Sequence, residues 1–263
     1  MWRRIGLFVA LCTSVAGQAP VLTPGSEIEF EVRLGDEVRR MIGGGRRARV
    51  EAATVYVALP DSFEPGRPTP IVLVSASGDR GYNSSIAWAK GLADAARAAG
   101  WIVVAADATV AVTPETNAFR YGLAQAALDA LTTRWPGAAR APLALAGFSG
   151  GAKYSGNLGA MFARDGRTPV GLFLGGCNEP TPHAAFYQYR PARTAFRGVP
   201  VFLSSGDQDR VATPADHERV ARVLRNFGFR HVRLESYDGG HVLHPPHLTE
   251  ALRWFDEVRR LMP

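Results

Sequence analysis

Ser149 stands in Gly147-Phe148-Ser149-Gly150-Gly151, a G-x-S-x-G pattern placed between an apolar run at 142–146 and a helix-like stretch. A serine hydroxyl is a weak nucleophile until a base takes its proton. A sharp strand-to-helix turn exposes it and brings helix-start amides near the oxyanion that forms when a carbonyl is attacked. Such a turn needs small neighbours, which the three glycines supply; a Gly-rich packing turn without chemistry is the competing reading. Histidine offers a second pattern. His241, His244 and His247 recur every third residue with Asp238 upstream, a spacing that could hold a metal. Pro245 and Pro246 keep a regular helix from setting all three on one face, so no metal is expected, and His244 and His247 read as loop or supporting residues. His217 reads as a solvated helix residue and His231 as the start of a strand. Cys177 has no histidine beside it in sequence and reads as a structural thiol, not a nucleophile.

Positioning such groups requires a rigid frame. Runs rich in Val, Ile, Leu and Ala lie at 71–75, 101–106, 142–146, 170–174, 200–204 and 231–237. They start roughly thirty residues apart, the length of a strand plus a crossover helix. Between them, Ser84 or Ser85 can cap a helix that runs to 99 and ends at Gly100. Another spans 117–134 and stops at Trp135-Pro136-Gly137. Further helices follow Ser149, span 214–226 with Gly228 beyond, and close the chain at 248–261. Strands this continuously apolar are buried on both faces, which predicts an α/β fold: a mostly parallel sheet with helices on both faces. Before Pro70 the pattern changes. Residues 27–34 alternate Ile28, Phe30 and Val32 with charges, and 50–59 form a second strand, the two separated by an Arg-rich turn at Gly43-Gly44-Gly45. These predict antiparallel strands on the sheet edge, in a hairpin carrying Arg39, Arg40, Arg46, Arg47 and Arg49. The segment 176–199 is the size of an ordinary crossover, so no separate lid domain is expected.

The serine turn after the third of these strands, followed by Ser205-Gly206-Asp207-Gln208-Asp209-Arg210-Val211 after the run at 200–204 and Asp238-Gly239-Gly240-His241 after that at 231–237, resembles the α/β-hydrolase fold superfamily over about residues 50–263. The acid and His turns resemble those of its esterase-type members, such as dienelactone hydrolases, polyester depolymerases and feruloyl esterases. The resemblance implies a Ser, acid, His order with Ser149 as nucleophile, His241 as general base and then acid, and a carboxylate orienting His241. Asp209, three residues past Gly206, fits the family's acid turn better than Asp207, which reads as a loop cap; Asp107 and Glu179 also end strands and rank below. One oxyanion donor would be the Gly150 N–H, and the other would come from Ala76 or Ser77. Many members carry His-Gly or a glycine-rich run at that loop, where this chain has Ser75-Ala76-Ser77-Gly78-Asp79. Arg80, Tyr187 and Lys153 are possible substrate contacts, each with a plainer reading: solvated loop, core packing of a short cap with Phe186, Tyr189 and Phe196, and helix surface. No cofactor is implied. The activity implied is carboxylic ester hydrolysis through an acyl-enzyme on a small-molecule or polymer-linked ester. A peptidase of the same chemistry, or a non-catalytic envelope or binding protein that retains the fold, are the alternatives.

Composition bounds the surroundings. At 263 residues, 46% hydrophobic and 21% charged, the chain excludes disorder, collagen and coiled coil. Of its 30 basic side chains only Lys90 and Lys153 are lysines. The arginines are scattered, which gives no case for a nucleic-acid groove. Arg3 and Arg4 precede an apolar run at 5–11 and small residues at 13–17, the layout of a secretory signal peptide, the run being too short to span a bilayer. A buried N-terminal strand is the alternative. We expect residues 1–19 to be this signal and 20–263 a single catalytic domain, secreted or periplasmic in a bacterium, with no membrane span in the mature chain. Its removal would lower the formal charge from +6 to about +4. It would also leave Cys177 without an intrachain disulfide partner.

Overall fold

A computed structural model describes residues 21–42 and 50–261. The expected signal peptide at 1–19 and the turn with Arg46, Arg47 and Arg49 lie outside the described residues. The elements are β1 (Glu27–Arg33), α1 (Asp36–Ile42), β2 (Ala52–Ala58), β3 (Ile71–Ser75), α2 (Ser85–Arg97), β4 (Ile102–Ala108), α3 (Asn117–Arg134), β5 (Leu143–Phe148), α4 (Gly150–Arg164), β6 (Gly171–Gly175), α5 (Thr181–Tyr189), α6 (Arg193–Gly198), β7 (Val201–Gly206), α7 (Pro214–Phe227), β8 (Val232–Tyr237) and α8 (Pro245–Leu261). The strands form one sheet in the order β1-β2-β4-β3-β5-β6-β7-β8. β1 and β2, and β2 and β4, run antiparallel; every pairing from β4 through β3 to β8 is parallel.

Strand periodicity divides the core into two layers. Ile71 and Leu73 of β3, and Leu143 and Leu145 of β5, enter the layer with α3, α4 and α7. Val72 and Val74, with Ala144 and Ala146, enter the layer with α2 and α8. Ala144 and Ala146 of β5, Ala89, Ala93 and Ala96 of α2 and Ala251 of α8 all lie in that second layer. Helix ends follow local chemistry. Ser84 caps α2 by accepting from the Ala87 N–H, and Thr116 caps α3 through Phe119. Thr213 and Asp216 form a reciprocal capping box at α7, which Gly228 ends at φ 100°.

The expected hairpin between β1 and β2 is instead interrupted by α1, so Arg39 and Arg40 lie on a helix. Asp36 and Glu37 fill its first turn and Arg39 and Arg40 its last, matching the helix dipole. Val38 and Ile42 share one face and pack on Gly122 of α3, where any side chain would collide with them. Residues 176–199 fold into α5 and α6, short helices that the sequence pattern did not separate from a loop.

Candidate active site

The Ser149 turn is built by close backbone approach. Ser149 has φ 53° and ψ −120°, an uncommon conformation for a side-chain-bearing residue. Its N–H donates to the Gly175 carbonyl at 2.8 Å, tying it to the end of β6. A Cβ on Gly147 would fall on the Gly151 backbone, one on Gly151 on the Ser75 carbonyl, and one on Gly150 on Ser77. The glycines are therefore steric requirements of this turn. Gly150 opens α4, so its amide has no acceptor one turn back.

The turns after β7 and β8 meet. Asp209 is buried, and its Oδ1 accepts the N–H groups of Val211 (2.7 Å) and Ala212 (2.9 Å). Its Oδ2 lies 2.7 Å from His241 Nδ1. Burial pushes this carboxyl up, but the hydrogen bonds from His241, Ala212 and Val211 outweigh it and hold Asp209 below the usual carboxylate range. With Nδ1–H donating to Asp209, Nε2 is the nitrogen left to accept a proton. The imidazole packs on Phe148, the residue before Ser149, with ring centroids 4.7 Å apart, and Phe148 stacks in turn on Trp88 at 5.5 Å. Gly176, at φ 56°, passes under both rings where a Cβ would stand 3.0 Å from His241 Cε1. The structure thus brings His241 to the turn that carries Ser149, and Asp209 to His241.

Asp207 goes elsewhere: its Oδ1 accepts the Gly239 N–H at 3.1 Å, joining the two turns without reaching the imidazole by a hydrogen bond. Asp107 caps α2, accepting from the Ser85 N–H (2.7 Å) and Ser84 Oγ (2.6 Å), and Glu179 pairs with Lys153. The two oxyanion-loop candidates separate. The Ala76 N–H donates to Ser85 Oγ at 3.2 Å, whereas the Ser77 N–H has no partner among the described residues, and Ser77 packs on Gly150. Arg80 is exposed. Tyr187 is 61% exposed and sits at the edge of a ring cluster with His183, Phe186 and Phe227. Phe196 is buried in the core.

The histidines differ in role. His244 stacks on Tyr237 at 4.4 Å, and His247 Nδ1 lies 2.9 Å from Ser204 Oγ, so the three spaced histidines serve three different partners. Among the described residues no three metal-binding side chains converge. His217, expected on a solvated face, is fully buried. The reason is its register: with Val220, Ala221 and Leu224 it forms the inward stripe of α7. Its Nε2 accepts the Cys177 N–H at 3.1 Å, and Nδ1 lies 3.1 Å from the Thr213 carbonyl and 3.0 Å from Ser205 Oγ. It therefore pins the end of β6 to the start of α7. Burial likewise pushes the Cys177 thiol up to about 11, consistent with an inert thiol.

Burial lowers the pKa of His217, and of His247 with help from the neighbouring His244. Each folded pKa lies below the usual imidazole value of 6.5. The unfolded chain therefore takes up protons first, and stability present above pH 6.5 is lost as pH falls through the lowered folded values. We predict a Tm that drops between pH 6.5 and 5, with His217 contributing at most about 1.4 kcal/mol per pH unit. His217→Gln should melt lower at pH 7.5 but with a shallower acid slope; an unchanged slope would refute this.

No family model and no curated protein sequence matches the chain. Solved structures do match its fold. An α/β serine hydrolase without a lid from Xanthomonas campestris superposes with a TM-score of 0.56 at 20% identity, over 93% of this chain and 99% of that one. A ferulic acid esterase gives 0.60 at 15%, over 89% and 99%. An α/β serine hydrolase homologue from Coxiella burnetii gives 0.56 at 19%, over 93% and 100%. With its strand order, its parallel run and its helices on both faces, this chain has the α/β-hydrolase fold.

Proposed function

We propose that the protein is a serine hydrolase that cleaves carboxylic esters through an acyl-enzyme on Ser149. The observation that carries this reading is the meeting of three turns: Ser149 at positive φ between β5 and α4, and the Asp209–His241 pair packed on its neighbour Phe148. In this reading His241 Nε2 takes the Ser149 proton as Oγ attacks the ester carbonyl. Asp209 holds the tautomer and stabilises the imidazolium. The amides of Gly150 and Ser77 receive the oxyanion. His241 then gives its proton to the departing alkoxide, leaving an ester on Ser149. Water attacks that ester with His241 again as base, releasing the acid and restoring the hydroxyl. The structural neighbours include a ferulic acid esterase and an acylaminoacyl peptidase, so the ester reading rests on the esterase-like pattern of the three turns and a peptidase of the same chemistry is the second reading. Export, for which the residues before position 18 carry the pattern, belongs to the same proposal.

A fluorophosphonate probe tests it. The folded protein should label stoichiometrically, and Ser149→Ala should not label. Absence of labelling in the folded wild type would favour a binding protein that keeps the fold without turnover.

A further inference from the structure

Arg120 sits in the first turn of α3 with its side chain 3% exposed, and ester cleavage as proposed gives it no part. Both terminal nitrogens of its guanidinium are engaged, whereas the buried Nε has no hydrogen-bond partner among the described residues. Nη1 donates to Ser85 Oγ at 2.6 Å, and Nη2 donates to the carbonyls of Ser77 (3.0 Å) and Asn83 (2.8 Å). Glu115 pairs with Nη2, Asp107 Oδ1 lies 3.8 Å from Nη1, and the Tyr154 ring lies 5.5 Å away. Taking a cation and its carboxylate out of water is costly. A hydrophobic residue would fill this position in α3, between Phe119 and Tyr121, without that cost.

The bonds converge on one peptide. Ser85 Oγ, held by Arg120, accepts the Ala76 N–H at 3.2 Å, while the Ser77 carbonyl is held by Arg120 directly. Between those two anchors lies the Ala76–Ser77 peptide, whose N–H has no partner among the described residues. The same loop rests on Gly150, where an added Cβ would stand 3.2 Å from Ser77 Cα. We propose that Arg120 is a positioning residue that, directly and through Ser85, sets the direction of the Ser77 N–H so that it and the Gly150 N–H face one oxyanion. The inference rests on the serine-hydrolase reading above.

Such a residue acts on the transition state, because the loop amide is needed when charge develops on the carbonyl oxygen and much less when the ester first binds. Arg120→Lys keeps a positive charge beside Glu115, but an ammonium lacks the planar fork that serves Ser85, Ser77 and Asn83 together. Ser85→Ala removes the hydroxyl that joins Arg120 Nη1 to the Ala76 N–H, leaves the Arg120 bonds to Ser77 and Asn83, and keeps a small side chain at the α2 start. Steady-state hydrolysis of p-nitrophenyl acetate should show kcat reduced about tenfold or more in each variant, with KM changed less than about twofold. Affinity for a boronic acid, whose tetrahedral adduct places an oxygen in the oxyanion position, should fall in parallel. If Arg120→Lys does not fold, Ser85→Ala alone decides. Wild-type kcat and boronic-acid affinity in a folded variant would overturn the inference while leaving the hydrolase reading intact. A wild type that neither labels with fluorophosphonate nor turns over would overturn both.

Discussion

Asp209→Asn should lower kcat about 10⁴-fold, while Asp207→Asn should stay within a few-fold of wild type. The size of the first effect follows from how Asp209 divides its oxygens. Oδ1 accepts two backbone N–H groups, from Val211 and Ala212, so in the variant the amide oxygen belongs on that side. The amide NH₂ then faces His241 Nδ1, where Oδ2 stood at 2.7 Å. Two donors cannot share that contact, so the imidazole moves its proton to Nε2, the nitrogen that must be empty to accept the Ser149 proton. Substrate binding needs neither proton position, so KM should change little. Asp207 spends its carboxylate on the exposed Gly239 N–H, and its amide analogue can still accept there through its oxygen. Initial rates on a p-nitrophenyl ester at pH 7.5 decide the matter. The opposite ranking would move the acid to Asp207.

The parallel strands were legible because burial on both faces leaves a continuous apolar signature. Residues 71–75 and 117–134 coincide with β3 and α3. The serine turn was legible for a different reason, since only glycine fits where the backbones of β5, α4 and the Ser75 loop touch. What stayed hidden was decided by partners distant in sequence. α1 has seven residues, too few for a periodic signal, and its face is explained by Gly122 some eighty positions on. His217 was misplaced although its signal was present: its spacing to Val220, Ala221 and Leu224 is that of an inward stripe, and the polarity of imidazole masked it. Arg120 had a fainter sign, a lone charge in the run Phe119–Leu123 of a helix turn that is apolar on all sides. Arg120 could not be linked to the site without knowing that Ser77 lies against it, nor His217 to the end of β6 without knowing that Cys177 does.

The Ser149 backbone allows stability and activity to be separated in one position. At φ 53° and ψ −120° a side chain costs about 1–3 kcal/mol, a strain that persists because the surrounding hydrogen bonds fix the turn. Those bonds are backbone ones, from the Ser149 N–H to Gly175 and from Ala152 to the Ser149 carbonyl, and they survive any substitution except proline. Ser149→Gly removes the Cβ that suffers the strain. It also adds about 0.5–1 kcal/mol of unfolded-chain entropy, which offsets part of the gain. A net stabilisation of about 1 kcal/mol remains, or roughly 2–4 °C in Tm for a chain of this size. Turnover should fall at least about 10⁴-fold, because no nucleophile is left. Ser149→Ala loses the same activity but keeps the Cβ, and with it the strain, so its Tm should stay near that of the wild type. Thermal melts of the three proteins side by side measure the difference. If Ser149→Gly melts at or below Ser149→Ala, the turn is not strained by its side chain, and the positive φ reflects only the geometry that the flanking glycines impose.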